Sequence, residues 1–220
     1  MKALITGATG MVGNLVLQHC LQSKEVSEVV SLVRRSGELD HNKLTEIIVP
    51  DFQDLKAVEK SLNGVDIVFY CLGAYTGSVD RETLRVVTVD YPEALADHIK
   101  LKSPNARFCL LSGAGADKTG KSRTPFAQDK GEIENRLSAK GLGSFHTFRP
   151  AYIYPVSPRD EPGFGYTLMR WLYPIIRLLG DGASIQSTQL AKAMFDVGLT
   201  GHKNQVLENR DILNILKTDH

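Results

Sequence analysis

"TGATGMVG", residues 6–13, decides the fold. It follows the short apolar run "KALIT" at 2–6 and opens onto "MVGNLVLQHCLQS", whose apolar residues recur at helical spacing. Gly7, Gly10 and Gly13 therefore fall between a first strand and the helix it feeds. Glycine at such a turn allows a tight reversal, close approach of the backbone to a pyrophosphate, and close packing of helix on strand. The helix N-terminus adds free N–H groups and a partial positive charge. The spacing is GxxGxxG rather than the plain GxGxxG, so its context carries the reading. Gly7, Thr9, Gly10, Met11, Val12 and Gly13 are the expected phosphate-binding residues.

Downstream, apolar runs alternate with helical patterns. "EVVSLVRR" and "EIIVPDF" read as the second and third strands, "VDIVFYCLG" at 65–73 as the fourth, "RFCLLSGAG" at 107–115 as the fifth and "FHTFRPAYIY" at 145–154 as the sixth. Helices are expected over "DLKAVEKSLNG" and from about Thr83 to Lys102, with Pro92 at or near a helix start. This alternation predicts an α/β Rossmann-type fold, a doubly wound parallel sheet with helices on both faces. After Tyr154 the chain turns Pro- and Gly-rich, then gives apolar segments at 166–180 and "STQLAKAMFDVGLTG". Residues 1–220 thus read as one domain, with 155–220 forming a small C-terminal substrate lobe or lid.

Composition narrows the function. Twenty-six basic and 25 acidic residues leave a net charge of +1, which offers no field for nucleic acid or an anionic membrane. A small-molecule substrate or a protein partner is expected instead. Cys20, Cys71 and Cys109 lie far apart in apolar surroundings, as buried thiols do in a reducing compartment, and the six histidines form no metal-ligand cluster. The four-residue apolar start is too short for a signal-peptide core, and the segment at 166–180 is too short and too charged to span a membrane. A cytoplasmic location is expected.

The end of the second strand selects the dinucleotide. An acid there bonds the ribose 2'-hydroxyl of NAD, whereas arginine pairs with the 2'-phosphate of NADP. Arg34 and Arg35 occupy it, so NADP(H) is expected over NAD(H). Asp51 and Phe52 fall where an adenine ring would meet the sheet edge, and Cys71, Leu72 and Gly73 where the cofactor would pass the fourth strand.

"GATGMVG", "VRR", "CLG", "LLSGAGADK", "KGEIE" and "FRPAYIY" together resemble the atypical, extended-type short-chain dehydrogenases, and more narrowly the Tat-interacting-protein-like oxidoreductases and their bacterial relatives. The resemblance covers residues 1–155 well and the remainder loosely. It implies bound NADP(H) and a Ser, Tyr and Lys constellation at the nicotinamide, where serine donates to the carbonyl oxygen and lysine bonds the ribose. Ser112 and Lys130 match two members as catalytic residues, Lys130 also binding cofactor, and Pro150 and Ala151 would line the nicotinamide pocket through backbone atoms. Phe126, four residues before Lys130, stands where tyrosine is expected. Phenylalanine has no proton to give, and loss of a proton donor costs on the order of 10² to 10⁴ in rate. Tyr75, Tyr152, Tyr154, Ser122 and Thr124 are the substitutes in view. Two readings follow: an NADP(H)-dependent oxidoreductase on a small carbonyl compound, or a non-catalytic NADP(H)-binding sensor or regulator. A sugar-nucleotide epimerase ranks lower, because it needs a working tyrosine and a larger C-terminal lobe.

Overall fold

In a computed structural model of the chain, residues 1–37, 39–74, 78–156, 173, 180 and 182–218 are described. The expected segment at 166–180 and Tyr75 lie largely or wholly outside them. The centre is a parallel sheet of seven strands in the order β3-β2-β1-β4-β5-β6-β9. These are β1 Lys2–Thr6, β2 Glu28–Val33, β3 Leu44–Ile48, β4 Ile67–Tyr70, β5 Arg107–Leu111, β6 Ser144–Arg149 and β9 Val206–Glu208.

Strand alternation builds a core on each face. Ala3, Ile5, Ile67, Phe69 and Cys109 pack to one side, against helix α1 (Met11–Gln22) and helix α5 (Ser187–Thr200). Leu4, Val68, Tyr70, Phe108 and Leu110 pack to the other, against helix α3 (Tyr91–Lys102) and helix α4 (Pro125–Ala139). Alternate side chains point to opposite faces, so continuous apolar runs such as "IVFY" are what a sheet covered on both sides requires. The order runs outward in both directions from the neighbours β1 and β4. The crevice at their carboxyl ends is where ligands enter open α/β sheets.

Several elements differ from expectation. The helix expected over 54–64 is a 3-10 helix, Lys56–Leu62. The helix expected from Thr83 begins at Arg81 as α2 (Arg81–Arg85), widens into a π turn over Val86–Asp90, and continues as α3. Pro92, near the start of α3, has no N–H to give to the carbonyl of Thr88 four residues earlier, and a widened turn is where such a mismatch is absorbed.

The sixth strand stops at Arg149. Pro150 cannot continue a hydrogen-bond ladder, and the chain restarts as β7 (Tyr152–Tyr154), which pairs with β8 (Ser184–Gln186) in a separate small sheet. Strand β9, only three residues long, has too few positions to show a period, and it closes the sheet beside β6 before helix α6 (Asn209–Thr218). Helix α5 forms part of the layer flanking the sheet: Leu190, Ala191 and Met194 share one core with α1. At Gly198 the approach is closest, since a Cβ there would lie 2.3 Å from Cζ of the fully buried Phe69.

Gly198→Ala should therefore lower unfolding stability by about 1–3 kcal/mol, the usual cost of overpacking. Urea denaturation measures it, and Phe69→Leu in the same chain should recover part of the loss. Equal midpoints for Gly198→Ala and the wild type would contradict the close packing.

Candidate active site

The glycine turn builds the floor of the crevice. Gly7 holds φ +73, a left-handed conformation, and a Cβ on it would lie 2.6 Å from the carbonyl carbon and oxygen of Cys71. A Cβ on Gly13 would lie 2.2 Å from the Gly7 oxygen, so α1 rests directly on the turn. The Gly10 N–H donates to the Gly7 carbonyl at 2.9 Å. Helix α1 starts at Met11 with neither a side-chain cap nor an acid in its first turn. Its first N–H groups and partial positive charge face the crevice, a combination suited to a pyrophosphate. Gly73, with nothing within 4 Å of a would-be Cβ, leaves open space beside β4. The turn thus fits a dinucleotide, with a backbone cradle that side chains would fill.

A cavity opens on each side of this turn, and Leu72 lines both. The first, about 310 Å³, is lined by Gly7, Thr9, Arg34, Arg35, Ser36 and Phe52. Among the described residues neither arginine has an ion-pair partner. Glu46, the nearby acid on β3, is occupied: its Oε2 accepts from the Gly37 N–H at 2.7 Å and from the Ser36 hydroxyl at 3.2 Å. The second cavity, about 260 Å³, brings together Gly10, Met11, Val12, Cys71, Gly73, Ser112, Phe126 and Lys130, with Thr88 and Ile153 added. The crevice therefore assembles fourteen of the expected site residues.

Four others lie outside both cavities. Gly13 serves packing. Asp51 faces solvent and its carboxylate accepts from the Gln53 N–H at 2.9 Å. The Pro150 carbonyl accepts from the Ala114 N–H at 2.9 Å, and the Ala151 N–H donates to Asn209 Oδ1 at 2.9 Å, so these backbone groups are already engaged.

Helix α4 presents Phe126, Lys130 and Glu134 at successive four-residue steps, one stripe of the helix. Pro125 sits in its first turn, where a missing N–H costs nothing. The Phe126 ring is 37% exposed and lies over Gly113, whose would-be Cβ would meet Phe126 Cζ at 3.1 Å. The Lys130 ammonium sits 5.9 Å from that ring's centroid and donates to the Leu111 carbonyl at 3.3 Å. Burial pushes the Lys130 amine down to about 8, against the opposing pull of Glu134 and Asp129.

Glu134 is fully buried and was not legible as a site residue, because "KGEIE" reads like a solvated helix face. Only its four-residue step from Lys130 marks it. It accepts from the Ser112 hydroxyl at 2.7 Å, the Thr147 hydroxyl at 3.1 Å and Arg149 Nη2 at 2.5 Å. Lysine 118 adds a looser contact at 3.9 Å. Asp129, 1% exposed, is likewise held by Arg81 at 2.6 Å and Arg85 at 3.1 Å. Each buried carboxylate thus has arginine of its own, and Lys130 between them is left to the cavity. Thr88, on the π turn, was also missed; nothing local in "VVTVD" announces it.

The substitute acids separate cleanly. Strand alternation in β7 turns Ile153 toward the cavity, while Tyr154 stacks on Tyr173 at 3.7 Å between centroids and Tyr152 lies 6.4 Å from the same ring. Ser122 and Thr124 bond each other at 3.0 Å and stand outside the cavity. Tyr75 falls outside the described residues. Among those residues no metal-ligand group of three occurs, and no helix is long and apolar enough to cross a membrane.

Comparison with known proteins bears on this crevice. Residues 7–197 match a family described as NAD(P)H-binding. The protein "FMP52, mitochondrial" of Eremothecium gossypii is 27% identical over 233 residues, covering all of this chain and 99% of that one. Protein "fmp52-1, mitochondrial" of Aspergillus oryzae is 26% identical, with 92% of this chain and 88% of the relative covered. Both names carry a mitochondrial location, which overturns the cytoplasmic expectation; location is an address that the folded core does not encode. Among solved structures, the Bordetella bronchiseptica enzyme WbmH with NAD+ aligns at TM-score 0.70 and 19% identity, covering 94% of this chain and 74% of that one. The yeast methylglyoxal/isovaleraldehyde reductase Gre2 with NADPH aligns at 0.69 and 15%, covering 94% and 77%. These likenesses establish the Rossmann fold.

Lys130 gives the site a pH signature. Its unfolded-state amine keeps its proton up to about 10.5, while the folded one releases it near 8. Between those values the unfolded chain binds more protons, so rising pH stabilises the fold. The cofactor-free wild type should gain stability relative to Lys130→Met across that window, followed by urea denaturation at successive pH values. Parallel curves for the two proteins would contradict the buried amine.

Proposed function

We propose that this chain, which belongs to the NAD(P)H-binding family, is an NADP(H)-dependent oxidoreductase of the short-chain dehydrogenase type that reduces a small carbonyl compound. The observation that carries the reading is the pair of cavities meeting at Leu72, one holding two arginines with no ion-pair partner among the described residues and the other a half-buried lysine. Their join lies on the glycine turn, so one extended ligand with a central pyrophosphate suits both.

In this reading the α1 N-terminus and the backbone of Thr9 to Val12 hold the pyrophosphate. Arg34 and Arg35 face the 2'-phosphate, and Phe52 supplies an apolar wall for the adenine end. Cys71, Leu72 and Gly73 flank the nicotinamide end, where Ser112 and Lys130 meet the ribose and the substrate. NADPH, when bound, supplies the hydride. The chain's own task is to orient the carbonyl, exclude water with Met11, Phe126 and Ile153, and deliver a proton to the oxygen.

Phe126 favours a second reading, in which the chain binds NADP(H) as a sensor and meets a protein partner without turnover. NADPH consumption with a panel of small aldehydes and dicarbonyls separates the two: sustained consumption supports the oxidoreductase, and tight binding with none supports the sensor.

NADPH should raise the melting temperature more than NADH at equal concentration. Replacing both arginines, Arg34→Ala with Arg35→Ala, should weaken NADPH by about tenfold or more and leave NADH nearly unchanged, since charge-assisted hydrogen bonds contribute roughly 1.5–3 kcal/mol each. Equal stabilisation of the wild type by both cofactors would contradict the NADP(H) preference.

A further inference from the structure

We infer that Lys130 is itself the proton donor to the substrate oxygen, taking the task that the missing hydroxyl at Phe126 would perform. The inference rests on the reductase reading above and on the exchangeable protons that the described residues bring to the second cavity.

Among the described residues, four side chains lining that cavity carry such a proton: Cys71, Thr88, Ser112 and Lys130. Ser112 has one, and it is spent. A carboxylate only accepts, so the 2.7 Å contact with Glu134 Oε1 fixes the serine proton on the bond to Glu134. Ser112 then faces the cavity with lone pairs alone, the reverse of a serine that donates to a carbonyl. Arg149 donates to Glu134 from β6 through Nε at 3.0 Å and Nη2 at 2.5 Å, charge-assisted bonds in which the carboxylate oxygens accept. Burial, with the neighbouring Cys109 and Cys20, pushes the Cys71 thiol far up, and an alcohol such as Thr88 is a weaker acid still.

Lys130 differs from all three. Among the described residues its ammonium has the Leu111 carbonyl as its hydrogen-bond acceptor, which uses one of three N–H groups. The others remain for ligand oxygens. The charged groups around it come from several elements: Asp129 and Glu134 on α4, Arg81 and Arg85 on α2 neutralising Asp129, and Arg149 and Lys118 neutralising Glu134. With both acids already paired, neither clamps the amine. Its lowered pKa, about 8, suits proton transfer at neutral pH.

The step balances. The carbonyl carbon gains the hydride of NADPH, the C=O π pair moves to oxygen, and an O–H bond forms as one N–H bond of Lys130 breaks. The amine left neutral regains its proton from water when product leaves.

The test uses the full chain, NADPH, and methylglyoxal and 4-nitrobenzaldehyde as probes. Lys130→Arg keeps the positive charge and hydrogen-bonding reach but holds its proton to far higher pH. It should bind NADPH within a few fold of wild type, by fluorescence titration, while the rate of NADPH oxidation falls about 10²-fold or more. In the wild type the rate should decline as pH rises through about 8, and this limb should vanish in Lys130→Arg. Adding Phe126→Tyr to Lys130→Arg should restore turnover, because a phenol then supplies the proton beside a retained cation.

The inference is overturned if Lys130→Arg keeps the wild-type rate and pH profile, or if rate and NADPH affinity fall together and Phe126→Tyr restores neither. It is equally overturned if Tyr75→Phe, and not Lys130→Arg, removes the pH limb. A wild type that binds NADPH but turns over neither probe would fail the reductase reading first and the inference with it; an active wild type with an unaltered Lys130→Arg would fail the inference alone.

Discussion

The contact of Gly7 with the Cys71 carbonyl is the constraint on which the crevice depends. Any side chain on Gly7 would occupy the same space as the end of β4, 2.6 Å away, and would also have to adopt a left-handed backbone. Because β1 and β4 are pressed together there, α1 can start at Met11 and rest on Gly7 through Gly13. The two cavities are the spaces left on either side of that contact, at the point where the sheet order reverses. Moving the turn outward by one methyl group would misalign helix, strand and both cavities at once.

The second organising element is the stripe on α4. Phe126, Lys130 and Glu134 share one helix face, yet their surroundings differ sharply: a partly exposed ring, an amine at the cavity, and a carboxylate in the interior. Removing Arg149 alone would leave the buried Glu134 carboxylate with the looser 3.9 Å contact to Lys118 in place of a close ion pair, and breaking a buried pair costs about 3–5 kcal/mol. The ion pair therefore ties α4 to β6 and, through Ser112, to the end of β5. The polarity of the Ser112 bond follows from this burial. In the proposed reaction, with phenylalanine at 126, Lys130 holds the mobile proton while the frame around it is kept.

The sequence made the sheet legible where the requirement is local. Glycine at 7 and 13 answers steric demands that no other residue meets, and "IVFY" is apolar throughout because both faces are covered. Arg34 and Arg35 could be placed from their strand alone. What escaped depends on distant partners. The carboxylate of Glu134 becomes a site group only once Arg149 on β6 and Ser112 just past β5 close on it. Thr88 enters the cavity by way of a π turn ahead of Pro92, and β9 gains its strand character only from pairing with β6. Pro150 was read through as strand although its missing N–H sends the chain into the smaller sheet. The cytoplasmic expectation failed because a cellular address leaves no mark on a folded core, and the relatives that overturn it bear mitochondrial names.

In the proposed function one ligand spans both cavities across the glycine turn. Hydrogen exchange of backbone amides with and without saturating NADP+ tests it most directly. Protection should appear together in residues 7–12, in 34–36 and 72–74, and in 111–112, which border one cavity or the other, and in the adjoining Gly113. Protection confined to the segment around Arg34 and Arg35, with the amides of Leu111 to Gly113 unchanged, would contradict it.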